Sequence, residues 1–161
     1  MRFETDFEDV IRCFNQHSVE FLLVGAYALA HHGIPRATQD LDLYIRPTPE
    51  NARRVVQALD SFGFSGLPEH EAATPGKVIM MGRPPMRIDL LTQISGVTWD
   101  EAWKGREALN YGSEQLFVIG KRELLANKAS TGRTKDKADW ELLQQEQRKT
   151  HDLISSPEED L

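Results

Sequence analysis

Cysteine is almost missing from this chain. Cys13 stands alone among 161 residues, which excludes an internal disulfide and leaves cysteine-based zinc fingers without ligands. Long apolar runs are missing as well: none approaches the roughly 20 residues that a membrane helix needs. The opening Met-Arg-Phe-Glu-Thr-Asp is acidic and has no apolar signal core. A cytoplasmic protein with no membrane contact is therefore expected. Excess positive charge is the third absence. A formal net charge of -6 argues against coating DNA through the overall field, and no sequence-specific DNA binding is expected.

What is present suits one globular domain. Hydrophobic residues make up 40% and charged residues 27%, enough for a sizeable core. The expectation is a single domain over 1–149 with a flexible acidic tail at 150–161. Phe7, Val10, Ile11 and Phe14 mark one face of a helix, with Asp6 as its N-cap. Phe21 to Val24 is an apolar run too short for a helix and reads as a buried strand. Gly25 permits a sharp turn into a small-residue helix from Ala26 to His32, stopped by Gly33.

From Asp40 to Ile45 the residues alternate, with Asp40, Asp42 and Tyr44 on one face and Leu41, Leu43 and Ile45 on the other. Thr48 and Pro49 open a helix striped by Ala52, Val55, Val56, Leu59 and Phe62. Phe64 to Gly76 reads as a loop. Val78 to Met81 and Met86 to Leu91 read as a hairpin around Gly-Arg-Pro-Pro. A short helix follows Thr98, with Trp99 and Trp103 at i, i+4 as packing residues. Leu116 to Ile119 reads as a strand and Lys121 to Ser130 as a helix. Thr134 caps a last helix to about Gln147. Strands alternating with helices, plus a hairpin, define an α/β class: a mixed β-sheet flanked by helices.

Two aspartates on one strand face repel each other, and a cation between them removes the conflict. Mg²⁺ takes one or two carboxylates together with substrate phosphates. Taken alone, Asp-x-Asp is more often a solvated strand edge. Asp89 adds a third acid on the polar face of another short strand, where it can equally pair with Arg87. Three carboxylates converging from adjacent strands would make a two-metal site for displacement at phosphorus.

Gly25 and Ala26 lie where a strand becomes a helix, and their amides can accept phosphate, unless the glycine serves the turn alone. Lys128 interrupts an apolar stripe, so it either snorkels to solvent or meets a phosphate. Lys121 to Lys137 holds six basic and two acidic residues in an otherwise acidic chain. His31 and His32, adjacent on a helix, are expected to diverge rather than form an i, i+4 metal pair.

Val24-Gly25-Ala26 followed by Arg36-x-Thr38-x-Asp40-Leu41-Asp42-Leu43 resembles the nucleotidyltransferase superfamily that includes DNA polymerase beta. The resemblance is nearest to small bacterial members related to AbiEii-type toxins. Leu124-Leu125-Ala126-x-Lys128-Ala129, then Gly132-Arg133-x-Lys135-Asp136-x-Ala138-Asp139, is similar to that group's C-terminal helical signature. It implies the nucleotidyltransferase fold with C-terminal helices. It also implies that Asp40, Asp42 and Asp89 are catalytic and ligate two Mg²⁺ (or Mn²⁺) ions. Gly25, Ala26 and Lys128 would then face the phosphates of an NTP such as ATP, and Arg36 and Thr38 occupy further motif positions.

The activity implied is transfer of an NMP group to an acceptor hydroxyl on a tRNA, a partner protein or a small molecule. Many active members carry Gly-Ser at the turn, whereas Ala26 has no hydroxyl. A second reading is therefore a weak or inactive nucleotide-binding module, antitoxin-like in role. A haloacid dehalogenase-type phosphohydrolase is disfavoured, because Pro35-Arg36-Ala37-Thr38-Gln39 stands where that class needs an apolar strand.

Overall fold

The computed structural model describes residues 3–83 and 86–155. Its helices are α1 (Phe3–Gln16), α2 (Gly25–His31), α3 (Pro49–Phe62), α4 (Glu69–Ala73), α5 (Trp99–Lys104), α6 (Lys121–Ser130) and α7 (Thr134–Ser155). Its strands are β1 (Phe21–Val24), β2 (Asp40–Ile45), β3 (Val78–Arg83), β4 (Met86–Leu91), β5 (Glu107–Tyr111) and β6 (Glu114–Val118). The strands form one mixed sheet ordered β3-β4-β2-β1-β6-β5. β2 runs antiparallel to β1 and parallel to β4, and β1 runs parallel to β6.

The apolar stripes account for the core. Phe7, Val10, Ile11 and Phe14 of α1 are buried, as are Ala52, Val55, Ala58 and Leu59 of α3. Every residue of β1 is buried, in keeping with a central strand covered on both faces. Thr48 caps α3 by accepting from Asn51 N–H, with Pro49 at the start of the helix.

Asn51, itself buried, does more than follow a cap. Its Oδ1 accepts from Glu20 N–H at 2.8 Å, and its Nδ2 donates to the carbonyls of Glu20 and Arg46, both at 3.0 Å. The amide thereby ties the start of β1 to the end of β2 and fixes the pairing of Phe21 with Ile45. A one-residue slip there would turn the acids of β2 to the other face.

Several elements differ from expectation. Asp6 lies inside α1 rather than capping it. The segment read as a loop contains α4, a helix too short to show periodicity. β5 was not foreseen because it is an exposed edge strand without apolar alternation. α7 runs to Ser155, past the expected end near Gln147, and it starts at Thr134, with the Arg133 carbonyl accepting from Lys137 N–H. Pro84 and Pro85 of the hairpin turn and residues 156–161 of the tail fall outside the described residues. Among the described residues no helix is long and apolar enough to cross a membrane.

Candidate active site

The site begins with a pairing register. Val24, the last residue of β1, lies opposite Asp42 of β2, and Asp42 lies opposite Asp89 of β4. Three adjacent strands therefore bring the β1 exit, the Asp-x-Asp pair and the third acid to one end of the sheet. Gly25 turns the chain there with φ +72, a conformation that disfavours side chains. A Cβ at Gly25 would also overlap the Asp42 carboxylate. The glycine is thus required twice, by the turn and by the acid packed on it.

These residues line a cleft of about 730 Å³. It brings together every candidate named from the sequence: Gly25, Ala26, Arg36, Thr38, Asp40, Asp42, Asp89 and Lys128. Arg87, Asn127, Arg133, Asp136 and Asp139 also line it; sequence reasoning gave Arg87 only a pairing with Asp89 and the other four no individual role. For Arg87 the signal was its two-residue spacing from Asp89 on one strand. For Asp136 and Asp139 it was the helical signature alone, which names positions and not partners.

The sheet side of the cleft is short of positive charge. Arg87 donates from Nη2 to Asp89 Oδ2 at 2.9 Å and lies 3.7 Å from Asp40 Oδ2. That ion pair is the alternative left open for Asp89, and the structure combines it with convergence. Asp89 is buried, and its Oδ1 has no hydrogen-bond partner among the described residues. Burial, reinforced by the charges of Asp89 and Asp40, pushes the Asp42 carboxyl up to about 6, and Arg87 and Lys128 only partly offset this.

The helical side is the reverse. Lys128 Nζ donates to Asp136 Oδ1 at 2.9 Å and lies 3.3 Å from Asp139 Oδ2. Arg133 Nε and Thr131 Oγ1 donate to Asp136 Oδ2 at 2.6 and 2.7 Å. Arg36, from the loop before β2, pairs with the fully buried Asp139. Burial alone would raise Asp136, but these donors and the Lys128 charge outweigh it and hold the carboxyl down at about 2. Lys128 thus finds its compensation in two aspartates of α7 rather than in solvent. Thr38 accepts from Asp40 N–H at 3.1 Å and so shapes the entry to β2.

The donor set fits a hard divalent cation. The carboxylates supply oxygen ligands only, one buried oxygen is unpartnered, and burial with the charges of Asp89 and Asp40 raises the neighbouring Asp42. Asp40, Asp42 and Asp89 are the residues that would hold it.

The mixed sheet with its acidic cleft and C-terminal helices is a nucleotidyltransferase fold. The solved structure of an antigenic nucleotidyltransferase-like protein from Paracoccidioides brasiliensis is similar to it, with a TM-score of 0.52 at 14% sequence identity. The match covers 89% of this chain and 74% of that one. No protein-family model and no curated protein sequence matches the chain.

Proposed function

We propose that the cleft carries out metal-dependent nucleotidyl transfer from an NTP to an acceptor hydroxyl. The observation that carries this reading is the charge deficit at Asp40, Asp42 and Asp89, three carboxylates on neighbouring parallel strands beside a glycine turn. A divalent cation bound there, Mg²⁺ or Mn²⁺, would polarise the α-phosphate and acidify the attacking hydroxyl. Asp40 and Asp42 would hold that charge from one face of β2. The Arg87 pair fixes Asp89 through Oδ2, and the acceptor hydroxyl would lose its proton near Asp89.

The hydroxyl oxygen bonds to the α-phosphorus. The bond from that phosphorus to the bridging oxygen breaks, and pyrophosphate departs with the electron pair. The amides of Gly25 and Ala26 and the cations at the cleft's helical side receive the remaining phosphates. The motifs resemble those of AbiEii-type toxins, and the acceptor would be a tRNA, a partner protein or a small molecule.

Labelled NTPs, Mg²⁺ or Mn²⁺ and cell extract test this directly. Asp40→Asn with Asp42→Asn should lower transfer by at least ~1000-fold, about 4 kcal/mol of transition-state stabilisation. Transfer that persists in the double variant sinks the assignment. A second reading is favoured by Ala26 and by Arg87, which already neutralises part of the acid cluster: a nucleotide-binding module of antitoxin type, without turnover. Calorimetry showing tight NTP binding, with no product from any acceptor fraction, would select it.

A further inference from the structure

The far end of α2 holds a second cluster that the cleft does not use. His31 closes the helix and His32 is its C-cap, with φ -87 and ψ 15. Gly33 N–H bonds to Ala30 O and Ile34 N–H to Leu29 O, the paired bonds that unwind a helix end. His32 N–H still bonds to Ala28 O, and the chain leaves the helix at Gly33, with φ +95. The two rings do not diverge as consecutive helical residues would; they meet edge-on with centroids 4.9 Å apart. β5 begins beside them, because Glu107 pairs with Val118 at the end of β6.

We propose that His31, His32 and Glu107 form a binding site for a divalent transition-metal ion of the zinc class, separate from the carboxylate cleft. The His32 ring sets the chemistry. Its Nε2 lies 2.7 Å from the Ile119 carbonyl, which can only accept, so the neutral ring carries its proton there. Nδ1 is left as a lone pair, and it faces Glu107 Oε2 at 3.9 Å, another acceptor. A metal ion placed between the two would take both as ligands.

The His32 side chain is only 6% exposed, so packing as well as the Ile119 carbonyl holds its ring in place. Anchoring one imidazole nitrogen on a backbone carbonyl is also how metal-ligating histidines are commonly oriented.

Distances agree. His31 Nε2 lies 3.0 Å from the same Glu107 oxygen, and the three ligand atoms all fall within 4.8 Å of one another. Two ligands of a tetrahedral zinc, each about 2.0–2.1 Å from the metal, stand roughly 3.4 Å apart. The observed separations of 3.0 and 3.9 Å bracket that value. Two imidazoles select zinc, nickel or copper over magnesium. Half-exposed Glu107 leaves the fourth position to water. Lys121 also faces His32 and opposes a cation there, so Glu107 supplies the balancing charge. Occupancy would fasten edge strand β5 to the end of α2.

Calorimetric titration of the untagged, chelator-treated full chain with Zn²⁺ tests the site. It is run on the wild type and in an Asp40→Asn, Asp42→Asn background that disables the cleft. The cleft variant should still bind one Zn²⁺ per chain. His31→Gln and Glu107→Gln, which leave the carbonyl-anchored His32 untouched, should each weaken binding at least tenfold. Both should also abolish the zinc-induced rise in melting temperature while keeping the wild-type circular dichroism spectrum. Co²⁺ should give the intense visible bands of a four-coordinate site in the wild type and lose them in Glu107→Gln. Zinc binding that disappears with the cleft variant, binding unchanged by His31→Gln and Glu107→Gln, or no binding at all would each overturn the proposal.

Discussion

Two sets of aspartates line one cleft and stand in opposite electrostatic states. Asp40, Asp42 and Asp89 share Arg87, and Asp42 is pushed up to about 6. Asp136 and Asp139 are met by Lys128, Arg133 and Arg36, and Asp136 is held at about 2. Residue type is the same, and burial is substantial in both. The difference lies in who supplies the charge. On the helical side the protein supplies it, so those carboxylates are part of the fold. On the sheet side the protein leaves a deficit, which the proposed cation would fill.

Breaking the matched set should have the largest effect on stability. Asp139→Ala removes the fully buried partner of Arg36 and a neighbour of Lys128, which is itself only 11% exposed. Removing one member of a buried ion pair typically costs about 3–5 kcal/mol, because the other charge stays buried and uncompensated. Urea denaturation monitored by circular dichroism should show a loss of that order. A loss below about 1 kcal/mol would mean that the α6–α7 network is held by packing and not by charge.

The unmatched set should respond with the opposite sign. Between the ordinary carboxyl value of 3.8 and the native value of about 6, the folded protein holds a proton on Asp42 that the unfolded chain has lost. Stability therefore falls as pH rises from about 4 through about 6, by roughly 3 kcal/mol in total. Asp42→Asn cannot ionise, so its stability should lack that fall and exceed the wild type at pH 7 by up to ~3 kcal/mol. Added Mg²⁺ should narrow the gap by stabilising only the wild type. Parallel stability curves for the two proteins between pH 4 and 7 would contradict the charge deficit.

The two sets were not equally legible in the sequence. Asp40, Asp42 and Gly25 announce themselves through local signals: alternation along β2 and a glycine between an apolar run and a helix. Their convergence with Asp89 follows from strand order, which a strand–helix alternation with one hairpin makes easy to anticipate. Pairings made between elements left weaker traces. The hydrogen bonds of Asn51 and the Arg36–Asp139 pair join segments that no periodicity connects. His31 and Glu107 lie 76 positions apart, and Glu107 sits on an edge strand that carries no apolar pattern. Sequence reading placed the histidines at a helix end and expected them to diverge, whereas their rings meet with centroids 4.9 Å apart. Physical pattern reveals what each element buries, and much less about which polar groups of different elements meet.

The smallest expected effect bears on whether the sheet side works as a catalyst or only as a receptor. Ala26 follows the turn that Gly25 makes and lines the cleft, where it offers a backbone amide but no side-chain donor. Ala26→Ser adds a hydroxyl with no change of backbone and little added volume. If the triphosphate lies against this turn, the new hydrogen bond to a charged oxygen should tighten NTP binding by about fivefold to tenfold, roughly 1–1.4 kcal/mol. The gain should vanish in Asp40→Asn with Asp42→Asn, because phosphate and metal are held together. A rise in the transfer rate alongside the gain in affinity would mark Ala26 as a brake on an active enzyme, and affinity alone would mark a nucleotide receptor. Calorimetry that finds equal NTP affinity in Ala26→Ser and the wild type would remove the phosphates from this turn and shift their binding to Lys128 and its neighbours.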